Sequence, residues 1–128
     1  MKIMSLTATA AVLAMIAVPV SAASLATGGV YGGPQQKFAY CYVFNAGASV
    51  SLGRAQIIDQ NGNVVSGPGS CQGQFLPLKG TCQLSANIAN NLTYGCRVQV
   101  SDQAAAGLRG TLDIRDASEN VLVSSPLR

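Results

Sequence analysis

Leu92-Thr93-Tyr94-Gly95-Cys96-Arg97-Val98-Gln99-Val100 is the cleanest strand pattern in the chain. Leu92, Tyr94, Cys96, Val98 and Val100 alternate with Thr93, Gly95, Arg97 and Gln99. Side chains on a strand point alternately to opposite faces, so this is a half-buried β-strand with Cys96 on its core side. Leu108 to Arg115 repeats the pattern, with Leu108, Leu112 and Ile114 on one face and Arg109, Thr111, Asp113 and Arg115 on the other.

Working outward, short segments separated by turn residues fill the chain from Lys37 onward, which is the signature of an all-β domain. Phe38 to Phe44 is aromatic and β-branched and stops at Asn45-Ala46-Gly47. Val50 to Ile58 is closed by Asp59-Gln60-Asn61-Gly62, whose Asn-Gly signals a hairpin, and Asn63 to Val65 returns. Gln74 to Leu78 and Thr81 to Ala86 flank Lys79-Gly80 as a second tight hairpin, and Val121 to Val123 is the last strand. Only Asp102 to Gly107 has a helical composition, and it is short. Seven to eight short strands predict an antiparallel β-sandwich stabilised by disulfides. Cys41 and Cys96 in the second and sixth strands, with Tyr94 two residues before Cys96 at the place of a tyrosine corner, predict an immunoglobulin-like version. The chain has no Trp, so the expected likeness is of architecture, without kinship to antibodies.

The run Cys71-Gln72-Gly73-Gln74-Phe75-Leu76-Pro77-Leu78-Lys79-Gly80-Thr81-Cys82, followed by Gln-Leu-Ser-Ala, resembles the Cys, Leu-x-Pro-Gly, Cys hairpin of ASH/Hydin-like immunoglobulin-type modules. It is also similar to small secreted bacterial single-domain proteins of that layout. The family hairpin carries Pro-Gly at its turn, whereas Leu78-Lys79 separates Pro77 from Gly80 here. The resemblance spans about Cys41 to Arg115 and implies a fold and a role in adhesion or assembly, with no catalytic residues to carry over.

Met1-Lys2, an apolar run from Leu6 to Val20 and the small residues around Val20-Ser21-Ala22 read as a secretory signal peptide over 1–22. The run is shorter and richer in alanine than a membrane span requires, so no stable span is expected after cleavage. Ser24 to Gln36 is rich in Gly, with Gly28-Gly29 and Gly32-Gly33-Pro34 and no sustained periodicity, which makes 23–36 a flexible leader or a first strand. Residues 37–128 form the expected domain, secreted or periplasmic. The formal charge of the chain is +3 with its basic residues scattered, which speaks against nucleic acid as a partner. A protein or an envelope surface component is the expected one.

Four cysteines allow three pairings. Cys71 with Cys82 closes the least chain, and Cys41 with Cys96 then joins distant strands. An oxidising compartment and the absence of a Cys-x-x-Cys spacing make all four structural.

No histidine is present, so the commonest general base and best zinc ligand are missing. The carboxylates are only Asp59, Asp102, Asp113, Asp116 and Glu119. No Ser-x-x-Lys arrangement exists at Lys37 or Lys79. We therefore expect no enzyme and no cofactor. Asp59 to Asn63 begins like a calcium loop, but Val64 stands where glycine is needed and Ser70 where a bidentate Glu belongs, so no metal is expected either.

A phase conflict supplies the sharpest functional clue. If Cys41 reaches Cys96 it faces inward with Ala39 and Val43, and period two sends Phe38, Tyr40, Tyr42 and Phe44 to the outer face. Such a patch marks a binding site, unless the leader covers it or the aromatics are themselves the core and Cys41 pairs at an edge. The expected function is a non-catalytic exported binding or assembly module. Two rivals stand beside it: a small secreted enzyme inhibitor presenting a rigid loop such as Ser66 to Ser70, and a surface-fibre subunit that completes its neighbour's sheet with the leader.

Overall fold

A computed structural model describes residues 22–67, 69 and 71–128. Of the expected signal peptide, 1–22, the residues up to Ser21 lie outside them, as do Pro68 and Ser70 of the Ser66 to Ser70 loop. The strands are β1 (Ala22–Ala26), β2 (Phe38–Asn45), β3 (Val50–Ser51), β4 (Ala55–Asp59), β5 (Phe75–Leu76), β6 (Thr81–Asn87), β7 (Tyr94–Ser101), β8 (Leu108–Arg115) and β9 (Val121–Pro126). One helical turn, α1 (Asp102–Ala105), follows β7. The strands build three antiparallel sheets: β1-β7-β4, β6-β2-β8-β9, and the short pair β3-β5.

Alternation sets what each strand buries. Ala39, Cys41, Val43, Leu84, Leu112 and Ile114 from the four-stranded sheet share one core with Ile57, Tyr94, Cys96 and Val98 from the three-stranded sheet. The Cys41–Cys96 disulfide crosses from one sheet to the other inside that core, and Cys71–Cys82 ties the 71–80 loop to β6. On the chain-entropy model the longer closure contributes about 4 kcal/mol and the shorter about 3 kcal/mol. The two larger sheets also meet along one side, where Ala26 and Arg128 exchange both backbone hydrogen bonds at 2.9 and 3.1 Å.

Local expectation and structure part at three places. Val50 to Ile58 is not one strand: β3 and β4 lie in different sheets. Gly53 is the switch point, bonding to Gln99 while Leu52 bonds to Gln74, so the backbone changes partners within two residues. The Lys79-Gly80 turn exists, with the Gly80 N–H donating to the Pro77 carbonyl at 2.8 Å, but it does not join paired strands. Its flanks diverge, β5 to β3 and β6 to β2. The cause is Asn45, buried to 1% exposure, whose amide donates to the carbonyls of Ala48, Leu76 and Pro77 and draws the turn onto the end of β2. Asn63 to Val65 contributes a single bridge, Val64 to Ile58, in place of a full return strand.

Candidate functional site

On β2 the small residues face in and the large ones face out. Ala39, Cys41 and Val43 are fully buried, while Phe38, Tyr40 and Tyr42 are half-buried and Phe44 is exposed. Because Cys41 is tied across the core to Cys96, β2 cannot slip by one residue without breaking that bond or turning every side chain over. The register then builds rows across the outer face. Phe38 lies between Asn87 and Arg115, Tyr40 between Ser85 and Asp113, Tyr42 between Gln83 and Thr111, and Phe44 between Thr81 and Arg109. The segment Ser24 to Gln36 is bonded elsewhere: β1 runs along β7, Val30 bridges Tyr94, and the Gln36 amide donates to the carbonyls of Ala89 and Leu92.

The two ends of the aromatic column differ in their electrostatics. Around Tyr40 the polar groups bond to one another, leaving Arg115 Nε buried without a hydrogen-bond partner among the described residues. Its hydroxyl donates to Glu119 Oε1 at 2.9 Å, and the Arg115 guanidinium lies 5.0 Å from its ring centroid. Arg115 Nη2 is 3.2 Å from Asp113 Oδ2 and donates to the Tyr42 hydroxyl at 3.3 Å, and its Nη1 is 3.7 Å from Glu119 Oε2. Ser124 donates to the other oxygen of Asp113. The bond to Glu119 raises the Tyr40 pKa, since the carboxylate resists a phenolate beside it, and the bond to Asp113 raises that of Arg115. Tyr40 and Tyr42 stack at 6.2 Å, with Phe38 tilted against Tyr40 at 6.3 Å.

Glu119 reaches Tyr40 from an unusual backbone position. The turns Asp59 to Asn63 and Asp116 to Asn120 are built alike: each aspartate accepts from the backbone two and four residues on and from the side chain of the closing asparagine. Those backbone bonds, to Asn63 and to Asn120 first, hold both carboxyls below their ordinary pKa. The fourth residue of each turn is left-handed, Gly62 at φ 82° and Glu119 at φ 65°. Glycine adopts that conformation freely, whereas a side chain there costs on the order of 1 kcal/mol or more. The second turn carries the strained residue, and its carboxylate is the one bonded to Tyr40 and Arg115.

At the Phe44 end the face opens into a shallow groove of about 710 Å³. Its walls are Tyr42, Phe44, Thr81, Gln83, Arg109 and Thr111, and its floor is the backbone of Val43, Cys82 and Gly110. A Cβ on Gly110 would run into the Tyr42 carbonyl oxygen, so glycine is required where β8 passes β2. Arg109 Nη1 donates to the carbonyls of Ala106 and Leu108 at 2.7 and 2.8 Å, and no carboxylate among the described residues pairs with it. A second depression, of about 390 Å³, lies beside Phe38 and Tyr40 against Val65 and Gly67.

No match is found among protein-family models, curated proteins or solved structures.

The structure thus brings Phe38, Tyr40, Tyr42 and Phe44 onto one face, away from the core. It pairs the cysteines as Cys41–Cys96 and Cys71–Cys82. Sequence reasoning did not attach Arg109, Thr111, Arg115 or Glu119 to this face. The outward phase of β8 was readable, but nothing local says that β8 lies beside β2. Among the described residues no cluster of His, Cys, Asp and Glu is placed to hold a metal ion, and no helix is long and apolar enough to cross a membrane.

Proposed function

We propose that this chain is a non-catalytic exported binding module that works through the outer face of its four-stranded sheet. The observation that carries the reading is the inversion of β2, with alanine, cysteine and valine inside and two phenylalanines and two tyrosines outside. Large aromatics left beside solvent and rimmed by polar side chains are the composition of recognition surfaces. The face is favoured over strand addition because the leader that would be donated is already bonded within its own chain, β1 along β7 and Val30 on Tyr94, and because β4 is covered by Val64 to Ser66.

The frame fits an immunoglobulin-like sandwich with its end strands exchanged. The cysteine strands β2 and β7 take the places of the bridged strands, and Tyr94 accepts from the Ala89 N–H at 2.8 Å in the manner of a tyrosine corner. The first strand, β1, then occupies the flank where the last strand of an antibody domain runs, and β8 the flank of the first.

The test compares the purified mature protein with a Tyr42→Ser/Phe44→Ser variant for binding to envelope fragments of the producing cell. The variant should bind at least about tenfold more weakly, the loss expected of an aromatic anchor, with its fold intact by circular dichroism. Full binding by the variant, or turnover of a defined substrate by the wild type, overturns the proposal.

A further inference from the structure

We infer that the groove between Tyr42 and Phe44 is a seat for a carboxylate-bearing glycan, with Arg109 as the group that selects the acid. The inference rests on the sheet-face reading above and names its ligand class. It starts from the asymmetry of the face. At the Tyr40 end Asp113, Arg115, Glu119, Ser124 and both tyrosine hydroxyls are bonded among themselves, so an incoming ligand would have to break existing bonds. At the Phe44 end the guanidinium of Arg109 is exposed and lacks a carboxylate partner among the described residues, beside the most exposed ring of the column, Phe44 at 39%. A planar guanidinium binds a carboxylate through two parallel N–H donors, and an adjacent aromatic ring favours an apolar surface attached to that acid.

The groove floor separates a glycan from an acidic peptide. β2 is bonded on one side to β6 and on the other to β8, and β8 is bonded in turn to β9. The backbone of β2 and β8 under the ligand is therefore engaged in the sheet, and β6 at the far wall is the sheet's end strand, whose outward-pointing backbone groups lie in the plane of the sheet, to the side of the face on which the ligand sits. An extended peptide gains its affinity from main-chain hydrogen bonds to a strand edge, and one lying across the face, out of that plane, would have to satisfy its own amides with side chains alone. A sugar chain makes no such demand. Its rings offer C–H faces to Tyr42 and Phe44, and its hydroxyls, each both donor and acceptor, match the exposed Thr81, Gln83 and Thr111 along the walls. Thr81 and Gln83 continue as Ser85 and Asn87 along β6, so the polar border runs on beside the aromatic column for the length of a short oligosaccharide.

Calorimetry of the full mature protein with a short oligogalacturonate is the test, beside its carboxyl-reduced neutral counterpart and an oligoglutamate of equal charge. We expect binding of the oligogalacturonate, weakened at least about tenfold by carboxyl reduction and by Arg109→Gln, as expected for loss of a charge-assisted bidentate pair. Thr111→Val, which leaves the Arg109 contacts to Ala106 and Leu108 in place, should weaken it severalfold. Arg54→Gln, an exposed cation before β4 in the other sheet, should leave it unchanged. No binding of the oligogalacturonate, equal binding by Arg109→Gln, or equal binding of the oligoglutamate each overturns the inference. A protein that ignores the uronate yet loses envelope binding on Tyr42→Ser/Phe44→Ser keeps the sheet-face reading and loses only the glycan.

Discussion

The inner and outer faces of β2 belong to one stretch of backbone and have opposite logic. Inside, Ala39, Cys41 and Val43 are small and fully buried, and the strand is held by a covalent bond across the core. Outside, Phe38, Tyr40, Tyr42 and Phe44 carry far more apolar surface, yet they remain half-buried or exposed and are steadied by a polar network. A strand free to choose would place its aromatics in the core, since burying such a side chain is worth roughly 1.5–3 kcal/mol. The disulfide is what forbids the choice. On the function proposed above, stability and recognition belong to different faces, and changes on each should be read out differently.

The largest expected effect comes from cutting the tie itself. Replacing both Cys41 and Cys96 with alanine should lower the unfolding free energy by about 4 kcal/mol, measured by urea titration, because the unfolded chain regains the closed loop's entropy. A loss below about 1 kcal/mol would mean that packing alone sets the phase of β2. Next, Val43→Phe tests how full the inner face is. An added ring in a closed core should cost about 1–3 kcal/mol, while a neutral result would reveal unfilled space between the sheets.

Smaller effects belong to the outer face. Glu119→Gly relieves a left-handed side chain while removing the bond to Tyr40 and the ion pair to Arg115, and these opposing contributions should leave stability within about 1 kcal/mol. The same variant should return the Tyr40 phenol towards its ordinary pKa, followed by tyrosinate absorbance. A clear gain in stability with no change in titration would show that Glu119 does nothing for the face. The smallest effect is alkaline. The folded pKa of Tyr40 is raised, so its contribution is complete below the phenol's unperturbed value of 10.0 and fades as pH rises through the folded value. Stability measured across that window should decline less steeply in Tyr40→Phe.

Much of the fold was legible because burial on one side leaves a period of two in the sequence. β7 and β8 could be read from alternation alone, and their limits in the structure differ from that reading by at most two residues. The same logic failed where backbone contacts between distant residues decide the path. Leu52-Gly53-Arg54 looks like the middle of a strand, but the bonds of Gly53 to Gln99 and of Leu52 to Gln74 pull it between two sheets. Asn45 looked like a turn residue closing β2, and instead its buried amide organises three carbonyls.

For the candidate site the division is sharper. That Phe38, Tyr40, Tyr42 and Phe44 share one side of a strand follows from their spacing alone, because successive side chains alternate whatever surrounds them. The same spacing puts Arg109, Thr111, Asp113 and Arg115 on one side of another. Tertiary contacts alone make these two columns neighbours, bring Glu119 to Tyr40 from a strained turn, and open the groove beside Phe44. Alternation is a property of the local backbone, whereas strand order depends on loop closure and core packing among residues tens of positions apart, which leave no periodic trace in the chain.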